Sequence, residues 1–315
     1  MNGDLADVVE LLRCPVCTGP FETAPPGTGH DETSPAVAGA RPSPRGGTLR
    51  CGDGHSFDIA RQGYVSLLDG RSGSLRADTA AMVAARARVH EAGFFNPVLD
   101  AVAERTREFG ANVDKPVVLD AGAGGGHYLR AAVTALTGAS SSTAARGIGI
   151  DLSKFCARAI SRGAPSHAAI VADIWRGLPI ADDAATVALS VFAPRNAAEF
   201  ARVLQPGGGL VVVSPAADHL AEIIEPMQML RVDSGKSQRL QATFADGFEV
   251  VDSSAVRSVL ELDARTVGDL VAMGPSAFHA EDADIRSRAE AFVGDGRVQV
   301  SLSVVVTTCR PTAGN

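Results

Sequence analysis

Residues 117–128 read VVLDAGAGGGHY, and the order of residue types in that stretch decides the fold. A short apolar run suited to a buried strand ends in an acid, Asp120. Glycines at Gly122, Gly124 and Gly126 follow, and His127 and Tyr128 open the next segment. Glycine tolerates the positive φ of a tight turn and lets backbone N–H groups approach a ligand closely. Leu129, Val133 and Leu136 then recur at helical spacing. Taken alone, a strand–glycine–helix string of this kind is shared by nicotinamide and flavin sites.

Downstream, the apolar runs RGIGID (146–151), HAAIVAD (167–173), ATVALSVFA (185–193) and GLVVVSP (209–215) alternate with helical stretches. That alternation predicts an α/β fold with a parallel sheet covered on both faces. FEVVDSSAVRSVLEL (248–262) and VQVSLSVVVTTCR (298–310) suit two more strands. The second strand ends at Asp151, where a carboxylate can hold a ribose diol, and the third ends at Asp173. Upstream, Asp78 is the expected N-cap of a helix that stops at Gly93, and Asn96-Pro97 starts another with Leu99, Val102, Thr106 and Phe109 on one face.

Cys14-Pro-Val-Cys17 offers two thiolates across a tight turn, and Cys51 and His55 offer a thiolate and an imidazole. Four such donors complete a tetrahedral zinc site with no open position, so the expected metal is structural. The alternatives are a redox pair or spare thiols, but no thioredoxin-like strand–helix junction surrounds the CxxC. The 33 residues between Cys17 and Cys51 cost little, because loop-closure entropy grows only logarithmically. Within that gap residues 20–48 are rich in Pro, Gly, Ala and Thr and read as a flexible insertion. The expected partition is a zinc-binding module at 1–70, a linker and helical pair at 71–110, and the main domain at 111–315.

The 315-residue chain is 45% hydrophobic and 21% charged, which excludes wholesale disorder. It has no apolar run long enough to span a membrane and no secretory signal, and its five cysteines do not make a disulfide scaffold. A reducing cytoplasm and no membrane partner are expected. The net charge of −7 argues against a general nucleic-acid coat but leaves room for a local basic patch. Such a patch lies at 61–90, where Arg61, Arg71, Arg76, Arg86 and Arg88 outnumber Asp69 and Asp78. Its alternative is a solvated helix face.

VLDAGAGGGHY, GIDLS, LPIADDAATVAL and LQPGGGLVVV together resemble class I S-adenosylmethionine-dependent methyltransferases. The resemblance implies a Rossmann-like, mostly parallel seven-stranded sheet behind the zinc module. It also implies a cofactor site of Asp120, Gly122, Gly124, Gly126, His127, Tyr128, Asp151, Leu152, Asp173 and Ile174. With LRCPVCxxPF, LRCxxGHSFDIARQGYVSLL, SVFAPRNAAEFARVLQPGG and AMGPSAFH added, nearly the whole chain is similar to the 23S ribosomal RNA guanine-N1 methyltransferases. That family includes enzymes conferring resistance to tylosin-like macrolides.

The resemblance implies methyl transfer to a guanine in the loop of helix 35 of 23S rRNA, with RNA contacts from Arg61 and from Arg76, Arg86 or Arg88. In this reading Arg195 steadies the guanine O6 and Asn196 bonds its edge. The alternative is that Pro194 ends a strand and Asn196 caps a helix. No residue stands out as the general base. A small-molecule methyltransferase and a non-catalytic RNA-binding regulator remain competing functions, and whether the chain forms a homodimer stays open.

Overall fold

Every residue of Val117–Ala121 is buried, as a strand covered on both faces requires. The structure, a computed structural model, describes residues 5–22, 47–68, 76–137, 144–163, 167–230 and 247–312. Most of the insertion expected at 20–48, the linker at 69–75 and Arg71 lie outside the described residues.

The N-terminal part holds a small antiparallel hairpin, β1 (Thr48–Arg50) with β2 (Ser56–Asp58), and a two-residue strand β3 (Val65–Ser66). The helical pair is α1 (Ala80–Glu91) and α2 (Asn96–Gly110). The alternating unit follows as β4 (Val117–Ala121), α3 (His127–Thr137), β5 (Arg146–Asp151), α4 (Lys154–Gly163) and β6 (His167–Val171). After these come β7 (Ala185–Val191), α5 (Ala197–Val203), β8 (Leu204–Pro215) and α6 (Ala221–Ile224). The chain closes with β9 (Phe248–Leu262), α7 (Ala264–Ala272), α8 (Asp282–Val293) and β10 (Val298–Pro311).

The sheet order is β3-β6-β5-β4-β7-β8-β10-β9. Strands β4 to β10 are the expected mostly parallel seven, with β10 antiparallel to both β8 and β9. The eighth strand was not foreseen. Residues Val65–Ser66 of the N-terminal part pair in parallel with β6 and lengthen the sheet at that edge.

Period-2 alternation divides β4 between two cores. Val118 faces one shared with Val98 and Val102 of α2, Leu129 of α3 and Ile160 of α4. Val117, Leu119 and Ala121 face the other, where the cover is Phe200 and Val203 of α5 together with Leu5, Val8, Leu12, Leu49 and Leu67. The β6–β7 connection has no helix to cover this second face. The N-terminal segment lies there instead, with Arg13 N–H donating to Pro179 O (2.9 Å) and Ala181 N–H to Leu11 O (2.8 Å). The metal-binding module is therefore built onto the sheet, sharing its core.

Two local expectations need correction. Thr79, not Asp78, caps α1, its hydroxyl accepting from Met82 N–H at 3.2 Å. In α2 the buried stripe is Val98, Val102, Thr106 and Phe109, with Val98 in the place expected for Leu99.

Candidate functional site

The four expected metal ligands converge. The donor atoms of Cys14, Cys17, Cys51 and His55 all lie within 4.8 Å of one another. Cys17 Sγ stands 3.6 Å from Cys51 Sγ, and Cys51 Sγ stands 3.4 Å from His55 Nδ1. A tetrahedron with Zn–S bonds of about 2.3 Å has edges near 3.8 Å, so the cluster fits zinc. Turns set the spacing. Thr18 N–H bonds back to Cys14 O at 2.8 Å, and Gly54, at φ +81°, donates to Cys51 O at 2.9 Å. All four ligands come from the protein, which makes the site structural and holds together a hairpin with three-residue strands.

A cavity of about 500 Å³ opens at the carboxyl end of the sheet. Gly122, Gly124, His127, Tyr128, Asp151, Leu152, Asp173 and Ile174 all line it, as the sequence implied. Gly122 (φ +83°) passes so close to β7 that an added Cβ would stand 2.4 Å from Ala193 Cβ. The Asp151 carboxylate accepts from Gly124 N–H (2.9 Å) and Ser153 N–H (2.8 Å), tying the end of β5 to the glycine turn. Burial raises the Asp151 pKa against the opposing pull of those two N–H groups.

Two of the expected cofactor residues do not reach the cavity wall. Gly126 (φ +76°) packs against α4, where an added Cβ would meet Ile160 at 3.0 Å. Asp120 lies buried behind the turn, beside the Leu129 backbone N–H but without a well-formed hydrogen bond. Burial, reinforced by the Asp151 charge, pushes Asp120 up to about 7. A buried, underpartnered carboxyl beside a glycine cradle suits a ligand carrying positive charge.

The arginines are where the sequence and the structure part most clearly. Arg86 was expected at RNA. Instead its guanidinium lines the cavity, pairs with Asp78 at 2.6 Å and donates to Met273 O at 2.8 Å. Burial opposes its charge, but Asp78 outweighs that and its pKa is raised. Arg88 is held by both oxygens of Asp269. Arg76 reaches the cavity rim with its guanidinium 6.0 Å from the Phe278 ring centre, and Arg61 is exposed on a turn of the N-terminal part.

Arg195 and Asn196 are also corrected. Arg195 is buried and turned toward β8, donating to Ser214 Oγ at 2.8 Å. Burial lowers its pKa. Asn196 caps α5 and donates to Ile174 O at 3.3 Å. The capping alternative describes Asn196, and neither side chain is among those lining the cavity.

The cavity also holds side chains that the sequence reading passed over. His90 of α1 stacks on His127 at 3.9 Å, nearly parallel, and Phe95, Phe192 and His219 complete an aromatic wall. Burial, with help from nearby charges, takes His90 down to about 3 and His127 to about 4, so both rings stack uncharged at neutral pH. The AMGPSAFH stretch contributes Met273 and Phe278. It had stood out as a motif, but nothing local in it said what it would face.

Comparison with known proteins bears on this combination of ribbon and cavity. Residues 43–70 match the family described as RlmA, N-terminal, a zinc ribbon. The chain is 40% identical over 305 residues to a 23S rRNA (guanine(748)-N(1))-methyltransferase of Streptomyces fradiae, covering 97% of this chain and 98% of that one. It is 40% identical to a putative 23S rRNA (guanine-N(1)-)-methyltransferase of Micromonospora griseorubida, covering 97% and 99%. A Bacillus subtilis protein of the same description is 30% identical, covering 93% and 96%.

Proposed function

The chain belongs to the 23S rRNA guanine-N1 methyltransferases, and from that premise we propose that it methylates N1 of a guanine in the helix 35 loop of 23S rRNA. One observation carries the reading. A glycine-turn cavity with Asp151 and Asp173 on its wall shares a core with a four-ligand zinc ribbon in a single chain.

S-adenosylmethionine, when bound, supplies an already activated methyl group, which leaves the protein to align it with the acceptor and exclude water. In this reading Asp151 and Leu152 hold the ribose, and Asp173 with Ile174 flanks the adenine. The glycine turn, Asp120 behind it, and Arg86 beside Gly124 surround the amino-acid end. Arg86 stays paired with Asp78 beside this end, and Asp120 acts on it from behind the turn as a buried carboxyl and not by contact. A loop guanine is cheaper to extrude into such a cavity than a paired one.

The N-terminal module at 1–70 acts as the RNA grip through exposed Arg61, and Arg76, in the following segment at the cavity rim, adds a second phosphate contact. Arg86 and Arg88 are already committed and are not part of it. No helix of the described residues is long and apolar enough to cross a membrane, and a ribosomal RNA substrate fits a cytoplasmic enzyme. The test is to map reverse-transcription stops around helix 35 in cells with and without the gene, and to quantify 1-methylguanosine in the isolated RNA. A stop that depends on the gene supports the reading. An unchanged pattern overturns it, and altered macrolide susceptibility alone does not rescue it.

A further inference from the structure

Phe192 ends β7 in the left-handed region, at φ +53°, a conformation an aromatic residue seldom adopts. Its N–H donates to Val213 O at 3.1 Å, which holds it there. The ring is 40% exposed and faces the cavity, with Phe95 tilted beside it and the His219 imidazole stacked at 5.9 Å and 17°. Strain that leaves a flat apolar face open to a ligand cavity marks a seat for a planar group.

His219 is anchored by β10. Its Nδ1 accepts the backbone N–H of Ser303 at 3.2 Å, and the Ser303 hydroxyl donates to Asp218 at 2.6 Å. With its Nδ1 lone pair engaged, the neutral ring carries its proton on Nε2, and among the described residues that Nε2–H has no partner. Burial outweighs the nearby Asp218 and Glu222 carboxylates and takes the group down to about 4, so it is uncharged at neutral pH. The ring is therefore poised as a hydrogen-bond donor. It is not a base.

Guanine N1 bears a proton that must leave before that nitrogen attacks well, and the charge so created spreads to O6. We propose that the acceptor guanine stacks on Phe192 and that His219 donates its Nε2–H to the developing O6 oxyanion. The assignment rests on the guanine-N1 reading above. In the step, the N1 proton passes to water at the cavity mouth and the N1–C bond forms. The S–C bond of the donor breaks, and its electron pair stays on sulfur. A neutral donor fixed by the backbone stabilises the charge that loss of the N1 proton places on O6, and so favours the form of guanine that attacks.

The experiment uses the full zinc-loaded chain with a 23S rRNA transcript, counting 1-methylguanosine by mass spectrometry. His219→Ala should lower kcat about 10²–10³-fold, the usual cost of one oxyanion donor, with KM for RNA nearly unchanged. His219→Gln, which restores an N–H, should recover at least tenfold of that loss. Both variants should bind S-adenosylmethionine as the wild type does in calorimetry. Phe192→Leu should instead raise KM for RNA about tenfold or more, through lost base stacking.

If His219→Ala keeps kcat within threefold of wild type, the assignment is overturned. Equal losses in the Ala and Gln variants together with weakened cofactor binding overturn it too, since they mark a packing role. A wild-type chain that forms no 1-methylguanosine on the transcript refutes the functional reading itself, a result the variants cannot mimic.

Discussion

The zinc ribbon and the glycine-turn cavity are both ligand sites made from tight turns, yet they stand on opposite footings. The ribbon hangs four ligands on a hairpin of three-residue strands, with Cys14 and Cys51 buried and Cys17 and His55 half-buried. The cavity rests on β4, β6 and β7, in which every residue is buried. In the first region the ligand organises the fold, and in the second the fold organises the ligand site. The two are not independent, because Leu5, Val8, Leu12 and Leu67 cover the same sheet face as α5.

The largest effect should come from the metal. Cys51→Ser, or stripping with a chelator, removes the one zinc per chain and should destabilise the whole protein by roughly 4 kcal/mol or more, because the loosened module uncovers the sheet. Elemental analysis and a thermal melt check this. A metal-free chain that melts with wild type would mean that the ribbon does not depend on its ligand.

Next come the glycines, where the same change separates the regions. Gly122→Ala forces a side chain onto Ala193 at positive φ and should cost ~3 kcal/mol and abolish cofactor binding. Gly52→Ala in the ribbon has nothing within 4 Å and no positive φ, and should leave zinc content and stability as they are. Chemical denaturation of the pair, with calorimetry for the cofactor, shows whether the contrast holds.

Asp151→Ala should act on binding more than on folding. It loses the tie to Gly124 and the proposed ribose contact and should weaken S-adenosylmethionine by about 1.5–3 kcal/mol. Wild-type affinity in a folded variant would remove the ribose assignment.

The smallest effects should distinguish one arginine in each half. Arg61→Ala should raise KM for rRNA and flatten the salt dependence of binding by about one unit of slope. Arg88→Ala should leave that slope unchanged and cost only about 0.5 kcal/mol of stability, because its pair with Asp269 is partly solvated. Equal slopes for the two variants would place RNA elsewhere.

Much of this was legible from spacing. CxxC and CxxxH bring donors together through turns of a few residues, and a strand–glycine–helix run can enter few conformations, so Cys14, Cys17, Cys51, His55, Gly122 and Asp151 were found without knowledge of distant contacts. Asp78 shows where such reasoning stops. It is a good N-cap by residue type, but Thr79 takes that role and Asp78 turns to Arg86. Asn196 shows the same limit from the other side, since its capping role is local and legible but could not by itself exclude a catalytic one.

What could be read in the chain alone was the set of elements, their mostly parallel order, the metal ligands and the acids at the strand ends, because each depends on neighbours a few residues away. Which arginine meets an aspartate, which residues roof the second face of the sheet, and which tautomer His219 adopts were decided only in three dimensions. The partner of Arg88 is 181 residues away and that of His219 is 84 residues away. Such pairs exist because the sheet order and the register of β10 against β8 bring remote segments within hydrogen-bond reach, and no local periodicity encodes that.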